Sequence, residues 1–174
     1  MDTSSSSKNN TGILLVGHGS RLPYNKEVVY NIAQKYSETQ PDYTVEVGFM
    51  ELAEPDIPTA FNKLKSTGVD RIIVSPVFLA HGMHTKRDIP TILGLEPADI
   101  EKEIGKSGGC SHGHHHGHSH DHDDKEEKRG HHHHHHHHGE VETVEFDGEI
   151  IYTEPLGADD AIVNIVAERV NEHL

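Results

Sequence analysis

Arg71 to Pro90, R-I-I-V-S-P-V-F-L-A-H-G-M-H-T-K-R-D-I-P, reads as a strand joined to a helix by a loop that carries two histidines. The β-branched run Ile72, Ile73 and Val74 is short and continuously apolar, as expected of a strand buried on both faces of a parallel sheet. His81 and His84 follow it around Gly82, and Asp88 with Pro90 has the pattern of a helix cap and first turn. The histidines are therefore expected between the C-terminal end of a strand and the start of a helix. That is the edge at which open α/β sheets bind ligands.

The same strand, loop, helix order repeats on either side of this stretch. Gly12 to Gly17 is an apolar run leading into His18-Gly19-Ser20-Arg21, and Val28, Val29, Ile32, Ala33 and Tyr36 then recur at helical spacing. Tyr43 to Phe49 alternates as a second strand, and Met50 to Pro55 connects it to an amphipathic helix that opens at Asp56-Ile57-Pro58-Thr59 and stops at Gly68. The third helix is short, Ile89 to Leu95. Glu149 to Tyr152 supplies a fourth strand, and Ala161 to Val170, with Ile162, Val163, Ile165, Val166 and Val170, supplies a closing helix. Four such units predict an α/β fold: a four-stranded parallel sheet with right-handed crossovers and helices on both faces, resembling half of a flavodoxin-like sheet.

One interval breaks the pattern. Of the chain's 19 histidines, 15 lie between His112 and His138, in a composition too polar to bury the apolar area that would offset the entropy of ordering it. Residues 105–147 are accordingly read as a disordered, His-rich loop inserted before the last strand of a single domain spanning 1–174. The eight-histidine run His131 to His138 has other, irregular histidines around it and is read as native rather than as a purification tag. The lone Cys110 implies neither a disulfide framework nor a cysteine metal cluster and agrees with a reducing compartment. No signal sequence or membrane-spanning run is visible, so a cytoplasmic protein is expected. A formal net charge of −14 disfavours nucleic acid as a partner.

If the strands lie in the common 2-1-3-4 order, the loops after the first and third strands meet above the sheet, and His18 and His84 face each other across the crevice. Gly17, Gly19 and Gly82 leave room for a flat or bulky ligand. Two imidazoles suit late first-row divalent metals such as Co²⁺ and Ni²⁺, yet fall short of the four ligands of a closed structural site, so a metal there is exchangeable. Arg21, Lys86 and Arg87 lie on the same rim, where two helix N-termini add to their pull on carboxylates. Taken singly, each of these residues has an ordinary role as a solvated charge. Glu54 ends the loop of the strand beside His18.

The motifs V-G-H-G-S-R, M-E-L-A-E-P-D-I-P, P-V-F-L-A-H-G-M-H-T-K-R-D-I-P and E-P-L-G-A-D-D, in this order and with a His-rich insertion, resemble the small archaeal class II chelatases, the sirohydrochlorin cobaltochelatases and nickelchelatases. The resemblance covers nearly the whole chain. It implies a chelatase-like fold and ATP-independent insertion of Co²⁺ or Ni²⁺ into sirohydrochlorin, on the way to cobalamin or to the nickel tetrapyrrole of methanogenesis. The metal is then a substrate, and no cofactor is required. By the same resemblance His18 is proton acceptor and metal ligand, and His84 is the second metal ligand. Glu54 and the loop Leu79, Ala80, His81, Gly82, Met83 and His84 match the substrate-contacting positions. Larger relatives fuse two such halves, which implies a homodimer here.

Two other functions compete. A metal-buffering or metal-delivery protein would use the loop histidines as its main device, but this leaves the placement of His18 and His84 at a crevice unexplained. A phosphate-binding flavodoxin-like module is weaker still, because the first loop lacks a phosphate cradle.

Overall fold

The computed structural model describes residues 10–107 and 142–174. Four strands, β1 (Thr11–Gly17), β2 (Thr44–Phe49), β3 (Arg71–Pro76) and β4 (Glu149–Tyr152), form one sheet in the order β2-β1-β3-β4. All pairings are parallel: Gly17 lies opposite Phe49, Val16 opposite Pro76, and Val74 opposite Tyr152. The expected strand order and fold class are both found. Among the described residues, contacts divide the chain into two units, 10–98 with 142–174, and 99–107.

The first unit holds the sheet. Side chains of a strand alternate between faces, so Leu14, Val16, Ile72 and Val74 point one way while Ile13, Leu15, Val47 and Phe49 point the other. On the first face the helices α2 (Ile57–Lys65) and α3 (Ile89–Ile92) close a core around the fully buried Phe61, Leu64 and Ile89. On the second face α1 (Pro23–Thr39) lays Val29 and Ala33 over β1 and β2. Asp56 caps α2 by accepting a hydrogen bond from the Thr59 N–H at 2.9 Å, as its sequence predicts. The last helix, α5 (Asp160–Asn171), is capped in the same way by Asp159, which accepts from the Ala161 N–H at 2.8 Å. Its position is as expected of the closing helix, and none of its apolar residues is buried.

Two expectations change. Residues 108–141, most of the interval read as a disordered loop, lie outside the described residues. At its edges, however, the interval is narrower than 105–147. Ile100–Ser107 forms a helix, α4, in the second unit. In the first unit Val144 is buried, its N–H bonded to the Ile92 carbonyl at 2.8 Å, and the Phe146 ring meets Phe61 edge-on at 5.5 Å. The composition around Val144 hides two apolar anchors among acidic neighbours, which is why the sequence read it as loop. The helix after β3 also differs. His84–Asp88 is a π-helical turn closed by the Ile89 N–H donating to the His84 carbonyl, and Asp88 is itself helical with no side-chain cap bond.

Phe61 tests this core. Phe61→Ala removes a fully buried ring that bridges α2, the sheet and the Phe146 segment. The expected loss of unfolding free energy is about 3–5 kcal/mol by chemical denaturation; a loss below about 1 kcal/mol would contradict the packing described.

Candidate metal centre

The site begins where β1 and β2 end, because the two loops that leave them stay bonded to each other. The Met50 N–H donates to the Gly17 carbonyl at 3.0 Å, the last rung of the ladder, and the Glu51 N–H to the His18 carbonyl at 3.1 Å, a bond between the two loops just beyond it. Glu51 is thereby drawn against the His18 loop. The approach is close enough to dictate Gly19, whose φ is +91° and where a Cβ would stand 1.7 Å from the Glu51 carbonyl oxygen. The His18 ring donates from Nδ1 to the Gly19 carbonyl at 3.0 Å, which assigns that nitrogen the proton and leaves Nε2 free, 3.7 Å from Glu51 Oε1. The Gly19 N–H in turn donates to Asn25 Oδ1 at 3.0 Å, tying the loop to α1.

His84 arrives from β3. The Val77 N–H donates to the Val16 carbonyl at 2.8 Å, holding the start of the loop against β1. The buried Thr85 hydroxyl accepts from the Gly82 N–H at 2.8 Å, and the Thr85 carbonyl accepts from the Tyr152 hydroxyl at 2.9 Å, so the π turn is anchored from beneath. Within the turn His84 Nδ1 lies 2.8 Å from Asp88 Oδ2, and the other carboxylate oxygen accepts from Arg87 Nε at 2.7 Å. Burial pushes the Asp88 carboxyl up, but the hydrogen bonds from Arg87 and His84 outweigh it and hold the group below the ordinary carboxylate range. With its folded value depressed, Asp88 stabilises the fold at neutral pH, and that contribution is lost only as pH falls below about 3.9 and through the folded value. An ionised Asp88 fixes the His84 proton on Nδ1 and leaves Nε2 to face the crevice.

The two rings meet edge to face with centroids 4.9 Å apart. One donor atom each from His18, Glu51 and His84 lie within 4.8 Å of one another. Three protein ligands leave coordination positions open, and two imidazoles with one carboxylate suit a divalent first-row cation. Their side chains are 45%, 49% and 32% exposed, so a large flat ligand has a way in. The carboxylate that orients His84 is the kind of support that metal-ligating histidines ordinarily receive.

Of the residues expected at the site, His18 and His84 are brought together. Glu54, expected to contact the substrate, is exposed three residues beyond Glu51 and next to Pro55. The third donor, Glu51, is a residue that the sequence did not single out. The sequence carried a signal for it, since it stands two residues past the end of β2, level with the second residue past β1. His81 turns elsewhere: its Nε2 pairs with Glu154, its Nδ1 lies 3.4 Å from the Thr85 hydroxyl, and it lines a cavity of about 210 Å³ with Tyr152. Burial, with Glu154 nearby, pushes the Tyr152 phenol up to about 12. Leu79, Ala80, Gly82 and Met83 are exposed on the loop between. Arg87 is engaged by Asp88, while Arg21 is exposed on the rim.

Gly19→Ala tests the construction of the cluster. The added methyl must displace Glu51 or the His18 loop by an ångström or more, and losing what orients metal ligands typically costs about 10–100-fold in metal affinity. Co²⁺ affinity, followed by visible absorption, is expected to fall by about that factor with the circular dichroism spectrum unchanged; unaltered affinity would show that the Gly19–Glu51 approach does not set the donors.

The CbiX family model matches residues 12–173. The chain is 48% identical over 170 residues to the sirohydrochlorin cobaltochelatase of Methanothermobacter thermautotrophicus, covering 98% of this chain and 97% of that one. It is 52% identical over 157 residues to the sirohydrochlorin cobaltochelatase of Methanocaldococcus jannaschii, covering 90% and 95%. Among solved structures it is similar to a putative cobalamin biosynthesis CbiX protein from Marinobacter aquaeolei, with TM-score 0.54 and 23% identity over 93% of this chain and 95% of that chain. It is also similar to the sirohydrochlorin chelatase SirB of Bacillus subtilis subspecies spizizenii, solved in complex with cobalt, with TM-score 0.56 and 22% identity over 94% of this chain and 50% of that one. At these identities the two structures speak to the fold.

Proposed function

The chain belongs to the CbiX family, and on that premise we propose that it is a sirohydrochlorin chelatase which poises Co²⁺ on His18, Glu51 and His84 and passes it to the macrocycle. The observation that carries this reading is the convergence of the three donors at an open sheet edge. Its relatives of 48% and 52% identity, both sirohydrochlorin cobaltochelatases, agree with it. Ni²⁺ is the second metal we propose, because imidazole and carboxylate ligands accept it at least as readily as Co²⁺.

The chemistry asks for three things. A free-base tetrapyrrole carries two inner N–H protons, and both must leave as the metal enters. The metal must be held, but with free positions for the incoming nitrogens. A base must stand beside it. As the metal moves to the four macrocycle nitrogens, His18 Nε2 and the Glu51 carboxylate each lose their bond to it and each recover a lone pair, so two acceptors appear for two protons. His84, oriented by Asp88, keeps the metal aligned during the exchange. The partial exposure of all three ligands favours release, since a fully enclosed site would retain its metal.

Other parts of the reading follow from the same premise. We read residues 1–174 as one chelatase domain that carries the His-rich interval as an insertion, and the interval as a secondary metal store. The 15 histidines between His112 and His138 support that store. A homodimer is supported by the SirB comparison, in which this chain spans 50% of a longer chain. No helix among the described residues is long and apolar enough to cross a membrane. The lone cysteine suits a reducing compartment, which we take to be the cytoplasm.

Variants separate the roles in one titration of metal against the rate of sirohydrochlorin metallation. His18→Ala loses a ligand and a base and is expected to fall by ~10²–10⁴-fold at every metal concentration. His84→Ala loses a ligand only, so its defect is expected to shrink as Co²⁺ is raised. Serine at His131 to His138 is expected to matter only when metal is scarce. A loop variant as inactive as His18→Ala at saturating metal would overturn the assignment.

Asp88→Asn retains the shape of the side chain and removes its charge. Metal affinity is expected to fall ~10–100-fold, with the rate at saturating metal largely retained. An unchanged affinity would remove Asp88 as the residue that orients His84.

A further inference from the structure

The closing helix α5 is a helix without a seat. None of its residues is buried, and Val163, Ile165, Val166 and Val170 are 49–57% exposed. Val163, Val166 and Val170 fall on one stripe at helical spacing, with Asn164, Glu168 and Asn171 away from it, so the helix has the pattern of one that covers a core. It packs extensively against no other element among the described residues.

The same chain has a seat without a helix. On the face of the sheet where α1 covers β1 and β2, the half over β3 is open, and a groove of about 340 Å³ runs there between α1 and the last strand. Its walls are almost wholly apolar, with Ile13, Leu15, Ile73 and Val77 as floor and Ile32 and Tyr36 of α1 along one side. In a parallel sheet of four strand-helix units the fourth helix belongs in this position. Here the connection carries it away. The Thr153, Leu156 and Gly157 N–H groups donate to the Val74, Phe78 and Leu79 carbonyls at 3.0, 2.9 and 2.8 Å, which holds the chain along the β3 exit loop. At Gly157, with φ +66°, it turns out into α5.

We propose that α5 of one copy fills the groove of a second copy, and that the two exchange these helices reciprocally about a twofold axis. This rests on the homodimer reading above and specifies its interface. A second copy is the occupant because helix and groove are complementary features of one sequence, both apolar and each unfilled, so a single twofold closes both pairs. The area agrees. A 12-residue helix is about 18 Å long and about 10 Å wide, a footprint of about 180 Å². Counted on helix and groove and doubled by the symmetry, this is about 700 Å². The exposed Tyr24 and Val28 of α1 and Leu156, beside the groove, are available to carry the total past the roughly 1,000 Å² that a stable interface needs. The connection from β4 to α5 is also bonded to the Phe78–Leu79 backbone, so the exchange holds down the loop that leads to His84.

Two measurements on the full chain decide it. In a Cys110→Ser background, Ile73→Cys and Val166→Cys are joined with a short bis-maleimide, and covalent dimers are expected; a cross-link confined to one chain, or none, in a protein that light scattering shows to be dimeric would overturn the exchange. Separately, Val163→Asp with Val166→Asp places two charges on a helix face that is exposed in the single chain, so the thermal melt of the monomer is expected to be unchanged while the dimer dissociation constant rises by at least about tenfold. A variant as dimeric as the parent would refute the exchange and leave the homodimer reading standing. A parent chain monomeric at working concentration would refute both.

Discussion

β1 is hydrogen-bonded along both edges to strands that run in its own direction, and just past the end of its ladder with β2 a backbone bond joins Glu51 to His18. Parallel pairing puts the C-terminal ends of three strands on one edge of the sheet. Three loops, from three separate stretches of sequence, must therefore emerge within a few ångströms of each other. The close passage of the Glu51 carbonyl over Gly19 is the tightest point of that convergence, and any side chain at position 19 would push the strand exits apart. The donor triad follows from this constraint, since His18 and Glu51 come from two loops bonded to each other at the ends of β1 and β2 and His84 comes from the loop pinned to Val16 through Val77.

The sheet and its edge divide the physical work. Beneath the edge the strands are buried and apolar, and Thr85, the one buried polar residue of the described core, has its hydroxyl and carbonyl satisfied by Gly82 and Tyr152. Such a base fixes the backbone of the site rigidly. Above it the donors are partly exposed, each steadied by a single partner: the Gly19 carbonyl for His18, Asp88 for His84. A carrier of metal in transit benefits from this division, because alignment comes from the buried layer while the bonds to the metal stay few and replaceable.

Much of this was legible in the sequence, and the exceptions have physical reasons. The β-branched run at Ile72 to Val74 and the glycine-flanked histidines led to the strand order and to the pairing of His18 with His84. Glu51 is not legible because it lies in the loop after Phe49, where β2 ends as expected, and only the backbone bond from its N–H to the His18 carbonyl brings it to the histidines. The tetrapeptide D-I-P-T occurs at Asp56 and again at Asp88, and the two aspartates have different fates. Asp56 caps α2, while Asp88 lies four residues after His84 and is claimed by its imidazole. Local capping patterns cannot see that competitor. Val144 and Phe146 were hidden because two apolar residues among acidic neighbours show no period, although both have a place against the core. For α5 the periodicity correctly marks an apolar face but is silent on what the face meets.

The central claim is that one divalent ion is held by His18, Glu51 and His84. X-ray absorption fine structure of the protein loaded with one equivalent of Co²⁺ addresses it directly, because imidazole rings give multiple-scattering features that can be counted. The account predicts two imidazoles per cobalt, with the remaining ligands oxygen. Three or more imidazoles per cobalt would place the metal on the histidines between His112 and His138 and contradict it.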